Sequence, residues 1–263
     1  MDIIQAVILG ILQGLTEWLP VSSSGHLAIA QQLMGTGPQV LFDIFLHFGT
    51  LIAAVAFFWK DLMEILKSVL RLDFKSEHGR LFTFMLVASI PTAIIGFMFK
   101  GFFESMFSSM LMIGAALIIT GAALFISERM KAQRDRKLGS IQAFIVGIAQ
   151  GIAVAPGISR SGATISTGLF IGIDRETAAR FSFLILIPAV LGAAVFELKD
   201  AVGAYQGFDI PVLAAGTAVS AIVGYLTIGA FLSFVKNKKL DAFAYYCLAA
   251  GAITATASLM GLF

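Results

Sequence analysis

The stretch Gln13–His26 reads QGLTEWLPVSSSGH, and it interrupts an apolar segment with a carboxylate, a proline, three consecutive serines, a glycine and an imidazole. Upstream, residues 3 to 15 are apolar for about the length of a re-entrant segment. Downstream, Leu27 to Met34 is again too short to cross a bilayer, which takes roughly 20 residues. Irregular backbone at membrane depth survives only where it is buried in protein or lines a wet cavity. The stretch is therefore read as the turn of a helical hairpin that enters the membrane and returns to the same face. The composition agrees, with 58% apolar residues, 13% charged residues and a mean hydropathy of +0.91, outside the range of a soluble domain. Nothing in it suggests a soluble second domain or nucleic-acid binding. A single cysteine, Cys247, excludes a disulfide framework. The first residues lack a basic region and a small-residue cleavage site, so they are read as mature structure.

Working outward, Val40 to Trp59 is the first full span. Lys60 to Arg80 is charged with apolar residues at helical spacing and is expected at the interface. Leu81 to Phe99 and, after a short connection, Met110 to Ile126 span next. Glu128 to Lys137 is read as a solvated loop. The pattern then restarts. Ile141 to Val154 is short, PGISRSGATIS (Pro156 to Ser166) interrupts it, Ala163 to Ile173 is short again, and Phe181 to Phe196, Ile210 to Val235 and Ala242 to Leu262 supply three further spans. At a constant offset of 137, Gly10, Gln13, Gly14, Ser22, Ser24 and Gly25 fall on Gly147, Gln150, Gly151, Ser159, Ser161 and Gly162. The expected fold is all-α: one membrane domain over 1–263, with six transmembrane helices and two re-entrant hairpins. Its inverted-repeat halves, 1–127 and 140–263, are joined by the charged loop 128–139.

Three crossings per half make the halves inverted, which sorts the loops into two sets. One set, including Lys60, Lys67, Arg129, Arg175 and Lys236, holds fifteen of the 18 Lys and Arg; the other holds only Lys100 and Lys199. By the positive-inside rule the first set is cytoplasmic and both termini lie outside. Arg160 belongs to neither set, because it sits in the second interruption.

Ionisable groups inside a membrane are expensive and point to function; here they are Glu17, His26 and Arg160. A structural ion pair between Glu17 and Arg160 is the plainer alternative, but it leaves the surrounding serines and glycines without a use. Ser22, Ser23 and Ser24 occupy the turn before one half-helix, and Ser159 and Ser161 the turn before another. They can cap those helices, yet a helix N-terminus is also an anion site, and Gly25 and Gly162 let an oxyanion approach the backbone. With Arg160 able to grip phosphate bidentately, the two starts describe a phosphate or diphosphate pocket. Ser23 and His26, three residues apart, can share a helix face as nucleophile and base, and His26 could instead attack phosphorus itself. Glu17 could orient the imidazole, transfer a proton or bind a divalent ion. Asp43 and His47 share a face of the first span and are weaker candidates. Trp18 and Trp59 are read as interfacial or packing aromatics.

GLTEWLPVSSSGH and PGISRSGATIS resemble the two signatures of the integral-membrane undecaprenyl-diphosphate phosphatases, the bacitracin-resistance family, and the resemblance covers essentially the whole chain. It implies hydrolysis of undecaprenyl diphosphate to the monophosphate, recycling a lipid carrier for cell-wall synthesis in the cell membrane, at a site opening to the outer face. It places catalytic roles on Glu17, Ser23, His26 and Arg160, with Ser159 beside the arginine. It also implies a divalent cation, Mg2+ or Ca2+, at Glu17 with Gln13. Gln13 departs from the glutamate found there in many members, which removes one negative charge. A transporter or flippase of polyprenyl phosphate is the alternative, since broken helices in an inverted repeat are also transporter architecture; a channel or scaffold leaves the polar set unused. A homodimer is compatible with the sequence, although its small-xxx-small spacings do not identify a dimer face.

Overall fold

The computed structural model describes residues 1–37, 39–130, 136–204 and 209–263. Among these the chain forms twelve helices and no strand. The first interruption lies between α1 (Ile3–Thr16) and α2 (Ser23–Leu33), and the second between α8 (Ser140–Ile152) and α9 (Arg160–Phe170). At 1.5 Å per residue even the 14-residue α1 is about 21 Å long, short of the roughly 30 Å hydrocarbon core. Asp2 starts α1 with a capping box, accepting from Gln5 N–H at 2.8 Å while the Gln5 side chain accepts from Asp2 N–H at 3.0 Å.

Among the described residues, six helices contain stretches long and apolar enough to cross a membrane. They are α3 (Val40–Phe57), α5 (Glu77–Met98), α7 (Met110–Arg129), α10 (Arg175–Ala204), α11 (Ile210–Asn237) and α12 (Asp241–Leu259). The chain is a multi-pass membrane protein. Between α3 and α5 lies α4 (Trp59–Leu70), of which only Ile65 is buried, as a helix lying at an interface requires. The expected connection from 100 to 109 contains a further short helix, α6 (Lys100–Met106). It is too brief for its periodicity to stand out.

Close packing explains the letters repeated at the offset of 137. Helix α1 lies along α11, and α8 lies along α5. A Cβ on Gly10 would come within 2.7 Å of the Gly216 carbonyl oxygen, and one on Gly147 within 2.2 Å of the Ala88 carbonyl oxygen. Gly14 meets Ser220 and Gly224, and Gly151 meets Thr92 and Ile95. Without water to drive helices together, such backbone approach supplies the dispersion contact that holds them. Thr92 adds a polar tie, donating to the Gly147 carbonyl at 2.9 Å.

One end of the bundle is laced by charge. Glu128, expected in a solvated loop, is instead buried at the end of α7. Both terminal nitrogens of Arg175 donate to its carboxylate, and Leu240 N–H donates to it at 3.0 Å. Arg129 pairs with Asp241 at 2.9 Å, Arg180 with Asp61 at 3.0 Å and Lys236 with Glu176 at 2.9 Å. Lys131 and Arg134 of the cationic set lie outside the described residues, as does the side chain of Lys199.

Candidate active site

The two interruptions meet. A Cβ on Gly25 would lie 3.2 Å from the Gly157 Cα, and Ser161 Oγ donates to the Leu19 carbonyl at 3.0 Å. Each interruption ends in a serine cap. Ser22 Oγ accepts from Gly25 N–H at 3.3 Å and Ser159 Oγ from Gly162 N–H at 3.0 Å. The helices therefore start earlier than the sequence reading placed them. Ser23 and Ser24 already belong to the first turn of α2, and Ser161 to that of α9. Ser24 Oγ is 3.4 Å from Ser22 Oγ, and Ser161 Oγ 3.2 Å from Ser159 Oγ. Ser22 has φ +70°, a conformation costly for a residue with a Cβ. It is held there by its cap and by the surrounding packing.

Arg160, the first residue of α9, reaches across to the first interruption. Its Nη2 donates to Glu17 Oε1 at 2.8 Å, while Nη1 donates to the Ser182 carbonyl of α10 at 3.0 Å. Ser182 Oγ lies 2.6 Å from Thr164 Oγ1, so α9 and α10 are tied behind the guanidinium. The ion pair considered as a structural alternative is thus formed, with Glu17 buried and Arg160 largely so. Such a pair holds only when the remaining donors and acceptors are satisfied. On the carboxylate side they are: Glu17 Oε2 accepts from Ser23 Oγ at 2.6 Å and from Gln13 Nε2 at 3.1 Å. Glu17 can collect these partners because it is the C-cap of α1, one turn beyond Gln13.

The expected Ser23–His26 pairing is not made. Ser23 gives its hydrogen bond to Glu17. His26 Nδ1 lies 2.7 Å from the Ser22 carbonyl, and its Nε2 lies 2.6 Å from the Tyr246 hydroxyl of α12. Helical spacing put the two side chains on one face, but the sharp turn at Ser22 aims the serine back at α1. Asp43 and His47 do approach the site. His47 Nε2 stands 3.7 Å from Glu17 Oε2 with Nδ1 on the Asp43 carbonyl at 2.8 Å, and Asp43 accepts from Gln31 of α2 at 2.6 Å. Trp18 is a packing residue and not an interfacial one. It is fully buried, edge-on to Phe183 at 4.9 Å.

Ser182 and Tyr246 carry no local signal in the sequence, whereas Thr164 lies within the second interruption, among the serines that carry the motif. Tyr246 lies 220 positions from His26 within an apolar run. For a divalent cation, the donors at Gln13 and Glu17 are one carboxylate and one amide oxygen. Gln13 Oε1 is buried without a hydrogen-bond partner. Among the described residues no group of three or more His, Cys, Asp and Glu is placed to hold a metal. That donor set fits a cation such as Mg2+ that takes its other ligands from water and a substrate's phosphates, and it does not make a closed protein cage.

Comparison with known sequences places this geometry in a family. The sequence model of the family described as "Bacitracin resistance protein BacA" matches residues 6–253. Relatives named undecaprenyl-diphosphatase are similar along their whole length. One from Methanosphaera stadtmanae is 43% identical over 99% of each chain. One from Halothermothrix orenii is 44% identical over 95% of this chain and 96% of its own. One from Desulforapulum autotrophicum is 41% identical over 99% of this chain and 100% of its own.

Proposed function

Because the chain belongs to the bacitracin resistance protein BacA family, we propose that it hydrolyses undecaprenyl diphosphate to the monophosphate and inorganic phosphate. The observation that carries the chemistry is the convergence of Ser23 and Arg160 on the two oxygens of the Glu17 carboxylate. A nucleophile, its base and a phosphate-binding cation thereby meet at one buried carboxylate.

Phosphoryl transfer asks mainly for positioning and charge neutralisation. Glu17 takes the hydroxyl proton as Ser23 Oγ attacks the terminal phosphorus. The bond to the bridging oxygen breaks, and the lipid monophosphate leaves. Water then gives a proton to His26 as its oxygen bonds to phosphorus. The bond from phosphorus to Ser23 Oγ breaks, the proton held by Glu17 returns to the serine, and His26 passes the proton it took from water to the departing phosphate. Arg160 and the first-turn N–H groups of α2 and α9 that the Ser22 and Ser159 caps do not take hold the phosphate oxygens. Gln13 and Glu17 would hold a divalent cation, which when bound neutralises phosphate charge.

The packing of α1 on α11 and of α8 on α5 supports an inverted repeat of halves 1–127 and 140–263, whose short helix pairs dip in and return. The cations at the Glu128–Arg175 end support a cytoplasmic assignment for that end, with both termini and the site's opening on the outer side. The test is phosphate release from a long-chain polyprenyl diphosphate in detergent. Release by the wild-type protein, abolished in folded Arg160→Ala, is expected. Movement of polyprenyl phosphate across sealed vesicles with no phosphate release would instead make the protein a flippase.

A further inference from the structure

We propose that Tyr246 is a positioning residue of this site, acting through His26; the proposal rests on the hydrolase reading above. His26 Nδ1 lies 2.7 Å from the Ser22 carbonyl oxygen. A carbonyl only accepts, so Nδ1 carries a hydrogen. The lone pair of the neutral ring is then on Nε2, 2.6 Å from the Tyr246 oxygen, and the phenol is the donor. The two rings lie within 12° of parallel, with centroids 5.6 Å apart. One contact fixes which nitrogen is basic and the other fixes where it points. This is how a neighbour sets the working tautomer of a histidine.

The helix that carries the tyrosine is itself anchored to the first interruption. Cys247 Sγ donates to the Pro20 carbonyl at 3.5 Å, and α12 lies along α7 through the close approach of Gly114 and Gly251. The α12 backbone is thus anchored just beyond Tyr246, which sets the phenol at His26 while 48% of Tyr246 remains accessible. Ser23 is committed to Glu17, so the imidazole lone pair serves neither of them. In the absence of substrate, the phenol occupies the place from which Nε2 accepts a proton. It keeps that lone pair aimed into the site and yields to the attacking water during turnover.

Tyr246→Phe keeps the ring and removes only the hydroxyl. The expected result is a loss of about tenfold in kcat with KM within about twofold, the signature of an interaction that orients the chemistry and does not bind the lipid. In a His26→Ala background with measurable residual turnover, the same change is expected to add nothing, since residues that act through one another are non-additive. Unchanged kcat, or an equal loss in both backgrounds, overturns the proposal. Nitrogen-15 spectra of the His26 ring in detergent give a readout that does not need catalysis. Removing the phenol is expected to move the Nε2 resonance and leave Nδ1 in place, and an unmoved Nε2 overturns the contact. Failure of the wild-type protein to release phosphate would strike the hydrolase reading, whereas the spectral result speaks to Tyr246 alone.

Discussion

Ser23 donates its hydroxyl to Glu17 Oε2 over 2.6 Å, although they stand six positions apart in the chain across a proline-containing turn. In the proposed mechanism the carboxylate is thereby the serine's base, and its other oxygen is paired with Arg160. The three groups that the proposed mechanism turns on a phosphate already touch one another. Substrate binding must therefore exchange internal contacts for contacts to phosphate.

Glu17→Gln keeps the shape and removes the charge. Arg160 loses its ion-pair partner and Ser23 its base, so kcat is expected to fall by about 10²–10⁴-fold, the usual range for losing a general base. Steady-state phosphate release by the purified, folded variant checks it. Turnover close to wild type would remove Glu17 from the base role.

The meeting of the two interruptions depends on Gly157, which has φ +90° and would place a Cβ 2.6 Å from the Ile113 carbonyl oxygen. Gly157→Ala is expected to lose about 1–3 kcal/mol of stability from overpacking, with strain added. Gly192→Ala, where a Cβ meets nothing within 4 Å, is expected to be neutral or to gain about 0.5–1 kcal/mol. Thermal unfolding in detergent separates the two.

At the opposite end, both terminal nitrogens of Arg175 grip the buried Glu128 carboxylate. Arg175→Ala is expected to cost about 3 kcal/mol, since breaking a buried pair leaves a charge undercompensated. Arg175→Lys keeps a cation but not the two-point grip, and is expected to cost less. Unfolding midpoints of the two variants check the order.

Orientation can be read from labelling. Glu104→Cys is expected to react with a membrane-impermeant maleimide on intact cells, and Glu64→Cys only after permeabilisation. The native Cys247 is buried and gives little background. The reverse pattern would invert the assignment of inside and outside.

The six spans and both interruptions were legible because length and hydropathy are local properties. Each half-helix start carried its serine, glycine and proline in a window of a few residues. The Glu17–Arg160 encounter was legible for a different reason: two charges in a hydrophobic bundle have few alternatives to each other. What escaped was the finer geometry. Ser23 turned to Glu17 because Ser22 takes a left-handed backbone conformation that helical spacing does not encode. Ser182 entered the site through its carbonyl oxygen, which every residue possesses. Glu128 sat in a charged run that reads as solvated, and its contacts with Arg175 and Leu240, 47 and 112 positions away, account for its burial.

Turnover of Ser23→Ala, set beside His26→Ala and followed by mapping phosphate on enzyme quenched during wild-type turnover, tests most directly whether Ser23 is the nucleophile activated by Glu17. The expected result is loss of phosphate release in Ser23→Ala, residual turnover in His26→Ala and phosphate trapped on Ser23. Ser23→Ala turning over within about threefold of wild type, or phosphate trapped on His26, would contradict it.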